Sequence, residues 1–402
     1  MHATRLSFES QATAPSRILI VNGSGFRGWP TALSLSAAGY EIAIVDHSML
    51  YAADIDSLTP IAPLDRRLRA WHERTSRKLT FALCNSDQGY RDLVDRVRAF
   101  QPETILYFAE YPGDPLDRDL DTTYDLLIAL AEARIKTHLI YIDRIDRMAR
   151  NQSVFAFYDS KDNTRITALF HDIVWGTQTD QTRLDPRLIN RFDYQRETAD
   201  WFNRWLIQGA IGHPMTVNGF GDQQRAFVHI QDMIRSIEHT IANPPTKNQP
   251  VRIVDQTTET HRVRDLAQRI ARLTGTPIAY LDKQRPTGYN DNDSRYLALD
   301  PSFKAHSPSM TLDNGLAAEV SDIVRHYLDR VDLHEVVDRS LWRYPPGPIE
   351  RGRHAPRSHR LRETPNLNRI VRRYSNHDGK LIDRLRQSAR RTLFRRRWPH
   401  AQ

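Results

Sequence analysis

Cysteine is nearly missing: Cys84 is the single thiol in 402 residues. One thiol excludes an internal disulfide and any thiolate-rich metal site, and Cys84 reads as buried apolar filling. Long hydrophobic runs are missing as well. No stretch approaches the roughly 18 apolar residues of a membrane helix, and the opening "MHATRLSFESQATAPSR" has no apolar leader segment. The expectation is a cytoplasmic protein. No internal repeat is present, and no His/Asp/Glu set has metal-ligand spacing. Acidic residues are scarce in one place only. From Glu350 to Gln402 fifteen Arg and one Lys face four acids, so this segment carries +12 and the remaining chain −4 of the total +8. A mildly acidic body with a basic tail argues against a general nucleic-acid binder.

What is present is a globular chain, 40% hydrophobic with 17 glycines, long enough for one large or two closely packed domains. "RILIVNGSGFRGWPTALSLSAAGYEIAIVD" reads as strand, glycine-rich turn, helix, strand. Further apolar strands at "TILYFAE" and "THLIYID" alternate with helices at "YRDLVDRVRAF" and "TYDLLIALAEARI". This alternation predicts an α/β fold, a Rossmann-like doubly wound parallel sheet over residues 17–175. From 176 to 343 the alternation loosens into a smaller α/β region expected to bind substrate. Its helices are "ETADWFNRWLIQGAI", "QDMIRSIEHTIAN" and "RVRDLAQRIARLTG", the last with a glycine stop, and its strands are "MTVNGF" and "VRIVD". "RYPPGP" is a linker into the basic, partly helical tail, 344–402.

"NGSGFRG" sets Gly23, Gly25, Phe26 and Gly28 at the strand-to-helix turn, where backbone amides and a helix N-terminus can meet a pyrophosphate. Asp46 closes the second strand 18 residues after Gly28. A carboxylate there suits the adenosine ribose hydroxyls and favours NAD over NADP, because it repels a 2′-phosphate. The competing reading is a tight structural turn with Asp46 as a local cap. Asn22 stands where the pattern has its first glycine, and Asn tolerates unusual φ better than most residues.

Several stretches together resemble the extended short-chain dehydrogenase/reductases, the NAD-dependent epimerase/dehydratases, and within them the UDP-sulfoquinovose synthase branch of sulfolipid biosynthesis. They are "GFRGWPTALSLSAAGYEIAIVD", "SLTPIAPLDRRLRAW", "INRFDYQ", "FNRWLIQGAIGHPMTVNGFGDQQRAFVHIQD" and "RVDLHEVVDRSLW", spanning about Ile18 to Trp342. The resemblance implies NAD and a UDP-sugar. For the synthase branch it implies oxidation at C4 of UDP-glucose, loss of water to an enone, sulfite addition at C6 and return of the hydride. By position, the glycine turn and Asp46 would hold NAD, and Arg225 in "DQQRAFVHIQD" would hold the UDP diphosphate, which a guanidinium can grip bidentately. The competing role for Arg225 is a surface salt bridge. Family precedent also implies a homodimer.

The reacting side departs from the family. Its Thr or Ser after the fourth strand is matched by Arg144, with Asp143 and Asp146 nearby, and its Tyr-x-x-x-Lys is replaced in "VFAFYDSKDN" by Tyr158 and Lys161 at a spacing of three. Keeping Lys161 in register puts Phe157 at the tyrosine position, and keeping Tyr158 puts Asp162 at the lysine position. Tyr158 and Lys161 still share a helix face, and a nearby ammonium lowers a phenol pKa, so the pair is the candidate catalytic set. Phe170 and His171 replace the family Asn, and Asn85 replaces the acid that contacts adenine. His171 with Asp172 is a further acid/base candidate, and His229 is expected to be packing.

Two classes follow: an NAD-dependent sugar-nucleotide enzyme with a re-tuned acid/base pair, or a catalytically impaired homologue acting through its tail. In that tail "GKLIDRLRQSARRTLFRRRW" places Leu381, Leu385, Ala389 and Leu393 on one face among arginines. Such a helix suits an anionic membrane surface, an acidic partner or the protein's own acidic body, and no nucleic-acid reading motif accompanies it.

Overall fold

The computed structural model describes residues 16–47, 61–84, 90–109, 126–145 save 128, 164–192, 201–281 and 308–327. The catalytic candidates Tyr158 and Lys161, Asn85, the proline linker and the basic tail lie outside these residues.

Seven parallel strands form the main sheet in the order β10-β6-β5-β4-β1-β2-β3. The strands are β1 (Arg17–Val21), β2 (Glu41–His47), β3 (Leu79–Cys84), β4 (Thr104–Phe108), β5 (His138–Arg144), β6 (Arg165–His171) and β10 (Val251–Asp255). Their apolar side chains point alternately to the two faces, as a period of two requires. In β1, Ile18 and Ile20 enter one core while Leu19 and Val21 enter the other, all buried. A strand buried on both faces must be apolar at every position, which is why "ILIV" shows no alternation in sequence. Each such side chain stabilises the fold by about 1.5–3 kcal/mol.

Helices cover both faces. On one lie α1 (Gly28–Ala37), α2 (Leu64–Thr75) and α5 (Ile230–Ala242), and on the other α3 (Tyr90–Phe100) and helical residues within 126–133. Trp29 and Trp71 fill the first interface, and Arg67 of α2 lies over the Trp29 ring at 3.9 Å.

The second region holds a three-stranded sheet, β11-β9-β7, and a two-stranded one, β12-β8. Its strands are β7 (Ile173–Trp175), β8 (Met215–Asn218), β9 (Gln224–His229), β11 (Glu259–Arg262) and β12 (Ile278–Leu281), packed with α4 (Trp201–Ala210), α6 (Val263–Thr274) and α7 (Leu312–His326). In α6, Val263, Leu266, Ala267 and Ile270 are buried at helical spacing, and Gly275 ends the helix in the left-handed region, φ +71°.

The division of labour between the regions differs from the sequence expectation in one respect. β10, from within 176–343, pairs with β6 and closes the edge of the Rossmann sheet, while β7, from within 17–175, pairs with β9 instead. Strand pairing, not chain order, draws the boundary, because an open edge at β6 would leave its backbone groups unpaired. Between β6 and β7 the chain passes from one sheet to the other at a single residue, Asp172. Among the described residues no helix is long and apolar enough to cross a membrane.

Candidate functional site

The strand order reverses between β1 and β4, and open α/β sheets bind ligands beside the carboxyl ends of strands at such a switch point. The glycine turn stands there, between β1 and α1. Asn22 solves the backbone problem of the turn. It takes the left-handed region at φ +60°, its N–H donates to Val45 O at 2.8 Å, and its Nδ2 donates to Phe108 O at 2.9 Å. The side chain ties the end of β1 to the end of β4 across the switch point. An asparagine in the first-glycine position is thus built into the turn.

The three glycines serve different needs. A Cβ on Gly23 would meet Ile20 and Ile44 at 2.9 and 2.8 Å, and one on Gly28 would stand 2.6 Å from Gly23 Cα. Gly23 lets the turn lie on Ile20 of β1 and Ile44 of β2, and Gly28 lets the start of α1 approach the backbone of the turn. A Cβ on Gly25 would meet only Asn22 O, at 3.9 Å. Nothing within the described protein asks for glycine there.

Asp46, at the end of β2, accepts from Ser24 N with both oxygens, at 3.4 and 3.3 Å. It is buried, and that burial pushes its carboxyl above the usual range against the pull of Ser24, Gly23 and Arg67. These bonds are long, and a carboxylate has about four acceptor directions, so two backbone contacts from one donor do not exhaust it.

Arg27 lies inside the turn, 3% exposed, and Nη1 faces His171 Nε2 at the end of β6. A guanidinium only donates, so Nε2 is the acceptor and the proton sits on Nδ1, 3.3 Å from Asp172 O. His171 is therefore neutral: burial and the Arg27 and Arg144 charges hold its pKa well below the usual value. This removes His171 with Asp172 as an acid/base pair. The Asp172 carboxylate instead accepts from Arg225 Nη2 at 2.6 Å and from Ala226 N at 3.2 Å. His229 caps α5 by accepting from Gln231 N and lies edge-on to Trp175, so it packs as expected, with its pKa lowered to about 4 by burial.

At the end of β5, Arg144 sits beside His171 in register, and Asp143 accepts from Tyr141 OH at 3.0 Å and from Arg144 N at 2.7 Å. Two further residues tie the second region to the turn: Asn190 Nδ2 donates to Phe26 O at 2.9 Å, and Trp29 Nε1 donates to Leu188 O at 3.1 Å. Arg27 and Asn190 are not among the sequence-derived site residues. Nothing in "NGSGFRG" says that the Arg27 side chain is buried against the end of β6. Asn190 lies in the quoted "INRFDYQ", but nothing in that string says what its amide touches.

A Rossmann-like sheet whose switch point carries a glycine turn, with a second region packed against that turn, defines the fold class. In fold and in sequence the chain resembles sugar-nucleotide epimerases, dehydratases and UDP-sulfoquinovose synthases. No family model matches the chain. By sequence it is similar to the chloroplastic UDP-sulfoquinovose synthase of Spinacia oleracea, 27% identical over 84% of this chain and 82% of that protein. It is also similar to the UDP-sulfoquinovose synthase of Sulfolobus acidocaldarius, 23% identical over 63% of this chain and 77% of that protein. The fold matches the UDP-glucose 4-epimerase of Thermotoga maritima, solved with UDP-glucose, at TM-score 0.57 and 16% identity, covering 77% of this chain and 99% of that one. A Bacillus cereus UDP-glucuronic acid 4-epimerase variant, solved with a fluorinated UDP-sugar and NAD, matches at TM-score 0.57 and 17% identity, over 77% of this chain and 100% of that one.

Proposed function

We propose that the protein is an NAD-dependent enzyme of the epimerase/dehydratase type that modifies a UDP-sugar, by chemistry resembling that of UDP-sulfoquinovose synthase. The observation that carries the cofactor reading is Gly25. It is a glycine at the head of the crevice that the protein's own packing leaves open, where a pyrophosphate needs close backbone approach. The buried polar groups fit the same ligand. Gly23, Gly25, Phe26 and Gly28 with the N-terminus of α1 would hold the pyrophosphate, and Asp46 would meet the ribose hydroxyls and repel a 2′-phosphate. NAD, when bound, supplies the hydride acceptor and donor.

On the sugar side Arg225 is assigned to the diphosphate, and Tyr158 with Lys161 to proton transfer at the sugar hydroxyl. His171 is neutral and Asp143 is bonded within the protein, and Tyr158 is given the proton by its place in the sequence pattern. The synthase reading, with sulfite added at C6, is the finer assignment and rests on the sequence likeness to the spinach and Sulfolobus proteins.

The test is calorimetric titration of the full chain with NAD and with UDP-glucose, followed by an absorbance scan for NADH with both present. Binding of both with NADH formation is expected. Binding of neither overturns the reading.

A further inference from the structure

The residue at the crossing between the two sheets carries the inference. Asp172 follows β6 and precedes β7, and its carboxylate is held from two sides of β9, by Arg225 Nη2 at 2.6 Å and by Ala226 N at 3.2 Å. The pair is poorly solvated, with side-chain exposures of 20% for Arg225 and 11% for Asp172. The Asp172 backbone is held as well, through its carbonyl facing the neutral His171, whose other nitrogen is engaged by Arg27. Arg225 has a further donor, Nε, that is buried without a protein partner.

An anion arriving at Arg225 thus meets a guanidinium already engaged by a carboxylate, not a bare one. It must take the remaining edge of Arg225 beside a fixed carboxylate, or displace that carboxylate. Either route costs affinity, because like charges in a partly desolvated site repel and a desolvated partner left behind is penalised. We propose that Asp172 is a specificity-determining residue of the nucleotide site, an internal anion that competes with the ligand's phosphates for Arg225. The cost is met by a nucleoside diphosphate that brings base, ribose and sugar contacts together, and is not met by inorganic pyrophosphate or other small anions. Specificity of this kind comes from a built-in repulsive element. The inference rests on the reading of Arg225 as the diphosphate residue.

The experiment is equilibrium titration of the full chain with UDP and with inorganic pyrophosphate, at two salt concentrations, for wild type, Asp172→Asn, Asp172→Ser and Arg225→Ala. Asparagine keeps an oxygen that can accept from Ala226 N while removing the charge, and serine removes both the charge and the reach. The expected result is UDP binding about tenfold tighter in both Asp172 variants, with a steeper salt dependence and measurable pyrophosphate binding. A merely structural role predicts the opposite sign, since damage to the Arg225 setting weakens binding. Unchanged or weaker UDP binding in the Asp172 variants, with binding lost in Arg225→Ala, overturns the competition and leaves the diphosphate reading standing. UDP binding equal in Arg225→Ala and wild type overturns both.

Discussion

Asn190 donates to Phe26 O across 2.9 Å and 164 residues of sequence, so a side chain of the second region holds a carbonyl of the glycine turn. The segment that carries it is itself pinned, since Tyr327 OH donates to Asn190 O at 3.0 Å. The glycine turn is therefore shaped partly by the region assigned to the sugar.

Replacing Asn190 by Asp keeps the size and removes the donor. The expected outcome is a loss of about 1–3 kcal/mol in stability, from a part-buried carbonyl left without its donor and facing a carboxylate, and NAD binding weakened about five- to tenfold. Thermal melts and NAD titration check both. Unaltered NAD affinity would show that the Phe26 carbonyl needs no outside support.

The glycines separate packing from ligand. Gly28→Ala drives a Cβ to 2.6 Å from Gly23 Cα, against backbone that cannot give, and should cost about 3 kcal/mol or more. Gly25→Ala has open space within the protein, so its melting temperature should stay within a degree or two of wild type while NAD binding is lost. A Gly25→Ala protein that melts normally and still binds NAD would remove the cofactor reading of this turn.

Glu319 of α7 is fully buried, accepts from Thr177 N at 3.2 Å, and has its pKa raised to about 7 by that burial, with Asp322 adding to the rise and Arg183 opposing it. A carboxyl raised in the folded state favours folding most fully below its unfolded value, near 4.5, and that contribution is lost as pH rises through about 7. The full span is on the order of 3 kcal/mol. Glu319→Gln should therefore melt higher than wild type at pH 8 and show little difference at pH 4 to 5. Parallel melting curves at both pH values would contradict the buried-acid assignment.

Tyr158→Phe removes the proposed acidic proton. Turnover should fall about 10²- to 10⁴-fold with NAD affinity unchanged. Steady-state rates on UDP-glucose set beside NAD titration decide it, and an unaffected rate would assign the proton to another group.

Much of this was open to reading along the chain. The strand "ILIV", the turn "NGSGFRG" and the acid after "EIAIV" obey local rules of burial and backbone geometry, so they are recognisable without partners. The amphipathic α6 with its Gly275 stop is equally local. Other features were not recoverable in this way. Arg225 was assigned by position, but its partner Asp172 lies 53 residues away in sequence. His171 with Asp172 looked like an acid/base pair because adjacency says nothing about burial, and the contact with Arg27 comes from 144 residues upstream.

By itself the sequence determined the doubly wound sheet, the amphipathic helices and the glycine turn after β1, because these follow from side-chain periodicity and φ preferences within a few residues. Only the tertiary structure decided that β10 closes the Rossmann sheet, that His171 stays neutral, that Asp172 occupies Arg225 and that Asn190 holds the turn. Each of these depends on which distant groups share a poorly solvated volume, and charge and protonation there are set by those neighbours, not by residue type.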